Sequence, residues 1–93
     1  MIHEIVQVIP KPNFKVYLYF SDGKIKLFNA AEIIKKGIFK QLNDLDIFIG
    51  KCTVLNHTLA WDIKGNYDPY NCLDLDPEVL YQNSDDVKDP LTK

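Results

Sequence analysis

The segment from Phe14 to Phe28, Phe-Lys-Val-Tyr-Leu-Tyr-Phe-Ser-Asp-Gly-Lys-Ile-Lys-Leu-Phe, constrains the fold more than any other stretch. Two runs rich in β-branched and aromatic residues flank an Asp-Gly pair. That dipeptide tolerates the positive φ values that a two-residue type I′ turn requires. The segment therefore predicts a β-hairpin with Asp22 and Gly23 as its loop. In that register Phe20 faces Ile25 and Leu18 faces Leu27, with Val16 on the same side. The opposite side carries Tyr17, Tyr19, Lys24, Lys26 and Phe28, with Lys15 nearby. One face is apolar and the other aromatic and basic. A slip of one residue would mix the two, which favours this register.

Around this hairpin the punctuation is regular. Ile2 to Ile9 is β-rich and stops at Pro10-Lys11-Pro12-Asn13, which predicts a strand and a turn. Asn29-Ala30-Ala31-Glu32 has the spacing of a capping box. A short helix is expected to follow, with Ala30, Ile33 and Ile34 inward and Gly37 as its stop. Phe39 and Leu42 suit one further helical turn. Asn43 to Asp46 read as loop, and Ile47 to Leu55 as strand with a break at Gly50. Asn56-His57 is a second tight-turn candidate, making Lys51–Leu55 and Thr58–Trp61 a second hairpin. Asp62 to Asn71 is a loop by every turn rule. Asp76 suits a helix N-cap, Pro77 the first helical position and Glu78 the first turn, with Val79, Leu80 and Tyr81 as anchor. Gln82 to Lys93 carry three aspartates and few apolar groups, so a disordered tail is expected. The predicted fold is α+β: a mostly antiparallel sheet of about five short strands (two hairpins plus an N-terminal strand) with two to three short helices, in a single domain over residues 1–81.

Composition narrows the function. A chain of 93 residues hides only about 60–65% of its unfolded surface, which leaves little room for a deep cleft beside a core. All 11 basic residues are lysine and the net charge is −2. Without arginine there is no bidentate fork for guanine edges or phosphates, and long-range attraction for a polyanion is weak. No run approaches the roughly 20 apolar residues of a membrane span. Met1-Ile2-His3-Glu4 lacks the pattern of a signal peptide. A cytoplasmic protein away from membranes is expected, with Cys52 and Cys72 as free thiols.

Chemistry-bearing residues are sparse. The histidines are His3, near the terminus, and His57, in a turn. Ser21 and Ser84 lack a nucleophile-elbow context, and no phosphate loop or dinucleotide glycine pattern occurs, so no cofactor and no catalytic residue is assigned. Asp62, Asn66, Asp68, Asn71, Asp74 and Asp76 offer oxygen ligands, yet their spacing is not that of a calcium loop, and turn and cap roles explain them. Cys52, Cys72 and His57 lack zinc spacing. The most suggestive surface is the stripe of Lys15, Tyr17, Tyr19, Lys24 and Lys26. It suits a protein partner, since tyrosine is enriched at interfaces, or stacked nucleobases, or an ordinary cross-strand ladder. Trp61 reads as core.

The ordered set Phe20-x-Asp22-Gly23, Gly37-x-Phe39-x-x-Leu42, Phe48, Trp61 and Leu73-Asp74-Leu75-Asp76-Pro77-Glu78-x-Leu80-Tyr81 resembles a small bacterial family, the domain of unknown function numbered 2442. The resemblance covers roughly residues 2–81. Asn29 stands where that family often has aspartate, and the link after Trp61 is longer than the commoner version. The resemblance implies a small α+β fold with a mostly antiparallel sheet and no assigned catalytic residues. It also implies structural roles for Asp22, Gly23, Asn29, Gly37, Trp61, Asp76, Pro77 and Tyr81. Some relatives sit beside a small partner family, numbered 4160, in an arrangement similar to toxin–antitoxin pairs. The leading expectation is a non-enzymatic interaction module, an antitoxin-like or accessory partner of a small neighbouring-gene protein. A nucleic-acid-binding regulator, acting directly or through a partner, and a metal-binding or small hydrolytic protein are the alternatives. A homodimer stays open.

Overall fold

The computed structural model describes residues 3–63 and 73–89. Its first unit is a meander. Strand β1 (Ile5–Lys11) pairs antiparallel with β2 (Lys15–Phe20), and β2 with β3 (Ile25–Asn29). Both connections are three-residue loops. Phe14 N–H donates to Lys11 O at 3.1 Å and Gly23 N–H to Phe20 O at 3.0 Å, and each loop ends on a positive φ, 60° at Phe14 and 91° at Gly23. This is a tight turn followed by a left-handed residue, the common three-residue hairpin loop. Phe14 holds that unfavourable conformation while its ring packs at 5.1 Å on Phe48.

The loop length corrects the expected register. Asp22 does not reach positive φ, and its carboxylate instead accepts the Lys24 N–H at 2.9 Å. The facing pairs are Tyr19 with Ile25, Leu18 with Lys26 and Tyr17 with Leu27. Lys26 and Phe28 therefore lie on the core side with Val16 and Leu18. Ile25 and Leu27 lie on the other side with Tyr17 and Tyr19. Lys24, opposite Phe20, is an exposed turn residue.

The middle of the chain also departs from expectation. Asn29 caps only a turn, taking the Ala31 N–H at 3.0 Å. Two 3-10 segments, Ile33–Lys35 and Gly37–Asn43, replace the expected helix, and Gly37, at φ +46°, starts the second rather than ending an α-helix. Helix α1 (Leu45–Gly50) occupies the stretch read as loop and strand. Its signal is Asp44, whose side chain accepts the Asp46 N–H at 3.0 Å. The helix lets Phe48 reach the core, where it is fully buried and 5.6 Å from the Trp61 ring.

The second hairpin forms as read. β4 (Cys52–Leu55) and β5 (Thr58–Trp61) flank Asn56 and His57, whose φ values of 55° and 61° make this the two-residue turn with both residues left-handed. β6 (Leu73–Asp74) pairs with β5. β4, β5 and β6 form a sheet of their own, separate from the meander, so the strands of the described residues make two antiparallel sheets rather than one. Thr58, Leu59, Ala60 and Trp61 of its central strand are all buried, and Trp61 Nε1 donates to Phe48 O at 3.0 Å. The Ile5 N–H donates to His57 O at 2.8 Å and ties the two sheets together. Between them lies the core of Ile5, Val16, Leu18, Leu42, Phe48, Leu59 and Trp61. Each such aliphatic or phenyl side chain contributes roughly 1.5–3 kcal/mol by leaving water.

Helix α2 (Pro77–Asn83) begins as the sequence predicts, with Asp76 accepting the Glu78 N–H at 2.9 Å and Pro77 in the first turn. The chain beyond Tyr81 is not a loose tail up to residue 89. β7 (Asp85–Asp86) adds to the free edge of β3, and the Val87 N–H donates to Ile25 O at 3.0 Å. Ser84 is buried, and its Oγ is without a hydrogen-bond partner among the described residues. Among the described residues no helix is long and apolar enough to cross a membrane.

Candidate functional site

Two polar regions stand out, on opposite sides of the meander. The first lies where α2 crosses the core side of the β2–β3 hairpin. The Tyr81 ring stacks on His3 at 3.6 Å and meets Phe20 edge-on at 4.9 Å. Lys26 Nζ lies 4.5 Å from the centre of the Tyr81 ring and 2.8 Å from Asp86 Oδ1. The Tyr81 hydroxyl donates to Asp22 Oδ2 at 2.7 Å. His3 Nδ1 is 2.7 Å from Glu78 Oε1, and the His3 N–H donates to Glu78 Oε2 at 2.5 Å. Each carboxylate is held below its ordinary range by a donor: Glu78 by the His3 backbone and ring, Asp22 by the Lys24 N–H and then Tyr81, Asp86 by Lys26. The Asp22 carboxylate in turn pushes the Tyr81 hydroxyl up. Every charged group here has a partner from another segment, so the cluster acts as a clamp on α2 and β7.

The second region is the outer face of the four-stranded sheet, turned away from the core. Register places Ile9, Tyr17 and Leu27 in one row across three strands. Gln7, Tyr19 and Ile25 form the next row, and Lys11 faces Lys15 at the end of the ladder. Tyr17, Tyr19, Ile25 and Leu27 are half-buried, and none belongs to the core cluster. Lys11, Pro12, Asn13, Lys15, Tyr17 and Leu27 line a groove of about 350 Å³. Lys11 Nζ lies 6.0 Å from the centre of the Tyr17 ring. Neither Lys11 nor Lys15 forms an ion pair among the described residues. At the other end the Tyr19 hydroxyl donates to Asp89 at 2.6 Å, and partial burial together with that bond pushes Tyr19 up to about 12.

The five residues of the predicted stripe are thus divided. Lys15, Tyr17 and Tyr19 share the outer face. Lys26 is on the core side, neutralised by Asp86, and Lys24 is in the turn. Lys11, Ile9, Ile25 and Leu27 join the face instead. Lys11 was hidden in a Pro-Lys-Pro run that reads as turn. Its signal is the alternation of Gln7, Ile9 and Lys11 along β1.

The other candidates are dispersed. His57 is exposed, 3.3 Å from Glu4. Cys52 is a free thiol, pushed up to about 12 by burial. Cys72 and residues 64–71 of the Asp/Asn-rich loop lie outside the described residues. Among the described residues no three His, Cys, Asp or Glu side chains gather as a metal site.

Residues 5–86 match the family described as protein of unknown function, DUF2442. The chain belongs to that family. The match runs through β7, in keeping with the place of residues 82–86 in the fold. Residues that carried the resemblance now have structural roles: Asp22 and Tyr81 join the hairpin to α2, Gly23 closes the hairpin turn, Asp76 and Pro77 start that helix, and Phe48 and Trp61 share the core. Comparison with curated proteins and with solved structures returns no match.

Proposed function

We propose that this chain is a non-enzymatic docking module that engages a small partner protein through the outer face of its four-stranded sheet. In its finer form the proposal makes it the accessory or antitoxin-like half of a two-protein system in the cytoplasm. One observation carries the reading. The row of Ile9, Tyr17 and Leu27, with Tyr19 and Ile25 beside it, lies on the side of the sheet away from the core and ends at two lysines without ion pairs among the described residues. Aromatic residues with a polar rim are the composition of a protein contact. A direct nucleic-acid reading is weaker than the stripe implied, because Lys26 faces inward and pairs with Asp86. The acidic residues Asp85 and Asp89 lie at the β7 side of the same sheet.

Co-expression with the products of the neighbouring genes tests the proposal. One of them is expected to co-purify with the wild-type chain and to be lost from a Tyr17→Ser, Leu27→Ser double variant that keeps its circular dichroism spectrum. Retention by the folded double variant overturns the choice of face.

A further inference from the structure

We propose that the groove between the β1–β2 loop and Tyr17 takes an extended acidic–apolar segment of the partner protein, a carboxylate seated between Lys11 and Lys15 and an aliphatic side chain on Tyr17 and Leu27. This deepens the docking reading above and rests on it.

The charge arrangement is the first support. Lys11 and Lys15 face each other directly across neighbouring strands. Like charges at facing positions are unfavourable, and an anion placed between them removes the repulsion. No carboxylate of the described residues forms an ion pair with either lysine.

The second support is the floor. Directly beyond the lysines lie Tyr17 and Leu27, facing each other on β2 and β3 and lining the same groove. A ligand that satisfies both parts carries a carboxylate next to an aliphatic group.

The third support is polarity. At the far end of the face stands Asp89, bonded to Tyr19, and at its β7 side Asp85. A uniform polyanion laid along the face would meet these carboxylates. A segment with its acidic residue at one end does not.

The edges of the sheet favour the face as the point of contact. β1 carries a bulge at the exposed Val6 and a proline at position 10, and β7 is two acidic residues long. Such edges resist the addition of another strand. Contact through side chains on the face remains open.

The test uses the full chain and a fluorescein-labelled decapeptide with two glutamates at one end and leucine alternating with serine over the rest, read by fluorescence anisotropy. Its controls are the same peptide with glutamine in place of glutamate and a labelled oligothymidylate. The acidic peptide is expected to bind at least 10-fold more tightly than either control. Lys11→Glu and Lys15→Glu, each folded by circular dichroism, are each expected to weaken it at least 10-fold. Equal binding of the glutamate and glutamine peptides, a preference for the oligonucleotide, or a dimer of the chain that buries this groove would overturn the proposal. The same variants separate it from the broader reading. A co-purifying partner that survives both charge reversals but is lost with the Tyr17→Ser, Leu27→Ser variant leaves the docking face standing and removes the acidic segment. A partner that survives all of them removes both.

Discussion

The hydroxyl of Tyr81 donates to the carboxylate of Asp22 at 2.7 Å, joining helix α2 to the tip of a hairpin 59 residues away in the chain. The same ring stacks on His3 and lies under the Lys26 ammonium. Two changes separate these contributions. Tyr81→Phe keeps the ring and removes one exposed hydrogen bond, so a small fall in melting temperature is expected. Tyr81→Ala also removes the stack, the edge contact with Phe20 and the cation–π contact. Its fall is expected to be several times larger. Thermal denaturation of the two variants checks the ratio.

Acid is expected to loosen the same clamp. Asp22, Glu78 and Asp86 all ionise more readily in the fold than in the unfolded chain, where such groups titrate at about 4. The unfolded state therefore binds more protons as the pH drops. The stabilisation is fully present above about pH 5 and is lost as pH falls through the lower folded values. These carboxylates are accessible, so the loss is modest and screened by salt. Melting temperature measured from pH 6 to pH 3 should decline, and Glu78→Gln should flatten part of that decline. A curve flat to pH 3 would contradict the clamp.

Removal of residues beyond Tyr81 should destabilise the fold. Truncation there deletes β7, leaves Lys26 without Asp86 on the core side, and bares the edge of β3. A buried charge that loses its partner is costly. Truncation after Asp89 should leave the melting temperature close to that of the full chain. Equal stability of the two truncated chains would show that β7 contributes nothing.

The short-range features of this fold were open to reading from sequence. Asp76-Pro77-Glu78 starts a helix because its cap bond spans two residues, and Asn56-His57 turns because both can adopt positive φ. The β2–β3 hairpin was also legible, but its register was not. Only Gly23 of the Asp-Gly pair is left-handed, so the loop holds three residues and every assignment on β3 moves to the opposite face. What makes Lys26 acceptable on the core side is Asp86, 60 residues on, and the Tyr81 ring, neither visible locally. The run Ile47-Phe48-Ile49 looks like a strand on propensity. Tertiary contact decides otherwise, because a helical turn capped by Asp44 delivers Phe48 to Trp61. Of the outer face, Lys15, Tyr17 and Tyr19 were legible. Lys11, Ile25 and Leu27 required the true register.

Cys52 should be slow to react. Burial pushes its thiol up to about 12, so little thiolate exists at neutral pH. Iodoacetamide at pH 8 is expected to modify it far more slowly in the folded chain than in guanidinium chloride. Equal rates in both conditions would mean that β4 does not shelter it.

The proposed docking face is tested most directly by chemical-shift mapping. The ¹⁵N-labelled chain is titrated with the protein that co-purifies with it. The largest changes are predicted at Ile9, Lys11, Lys15, Tyr17 and Leu27, with the amides of His3, Glu78 and Tyr81 little altered. Changes centred on the Tyr81 clamp or on the Asn56-His57 turn, with the outer face silent, would contradict it.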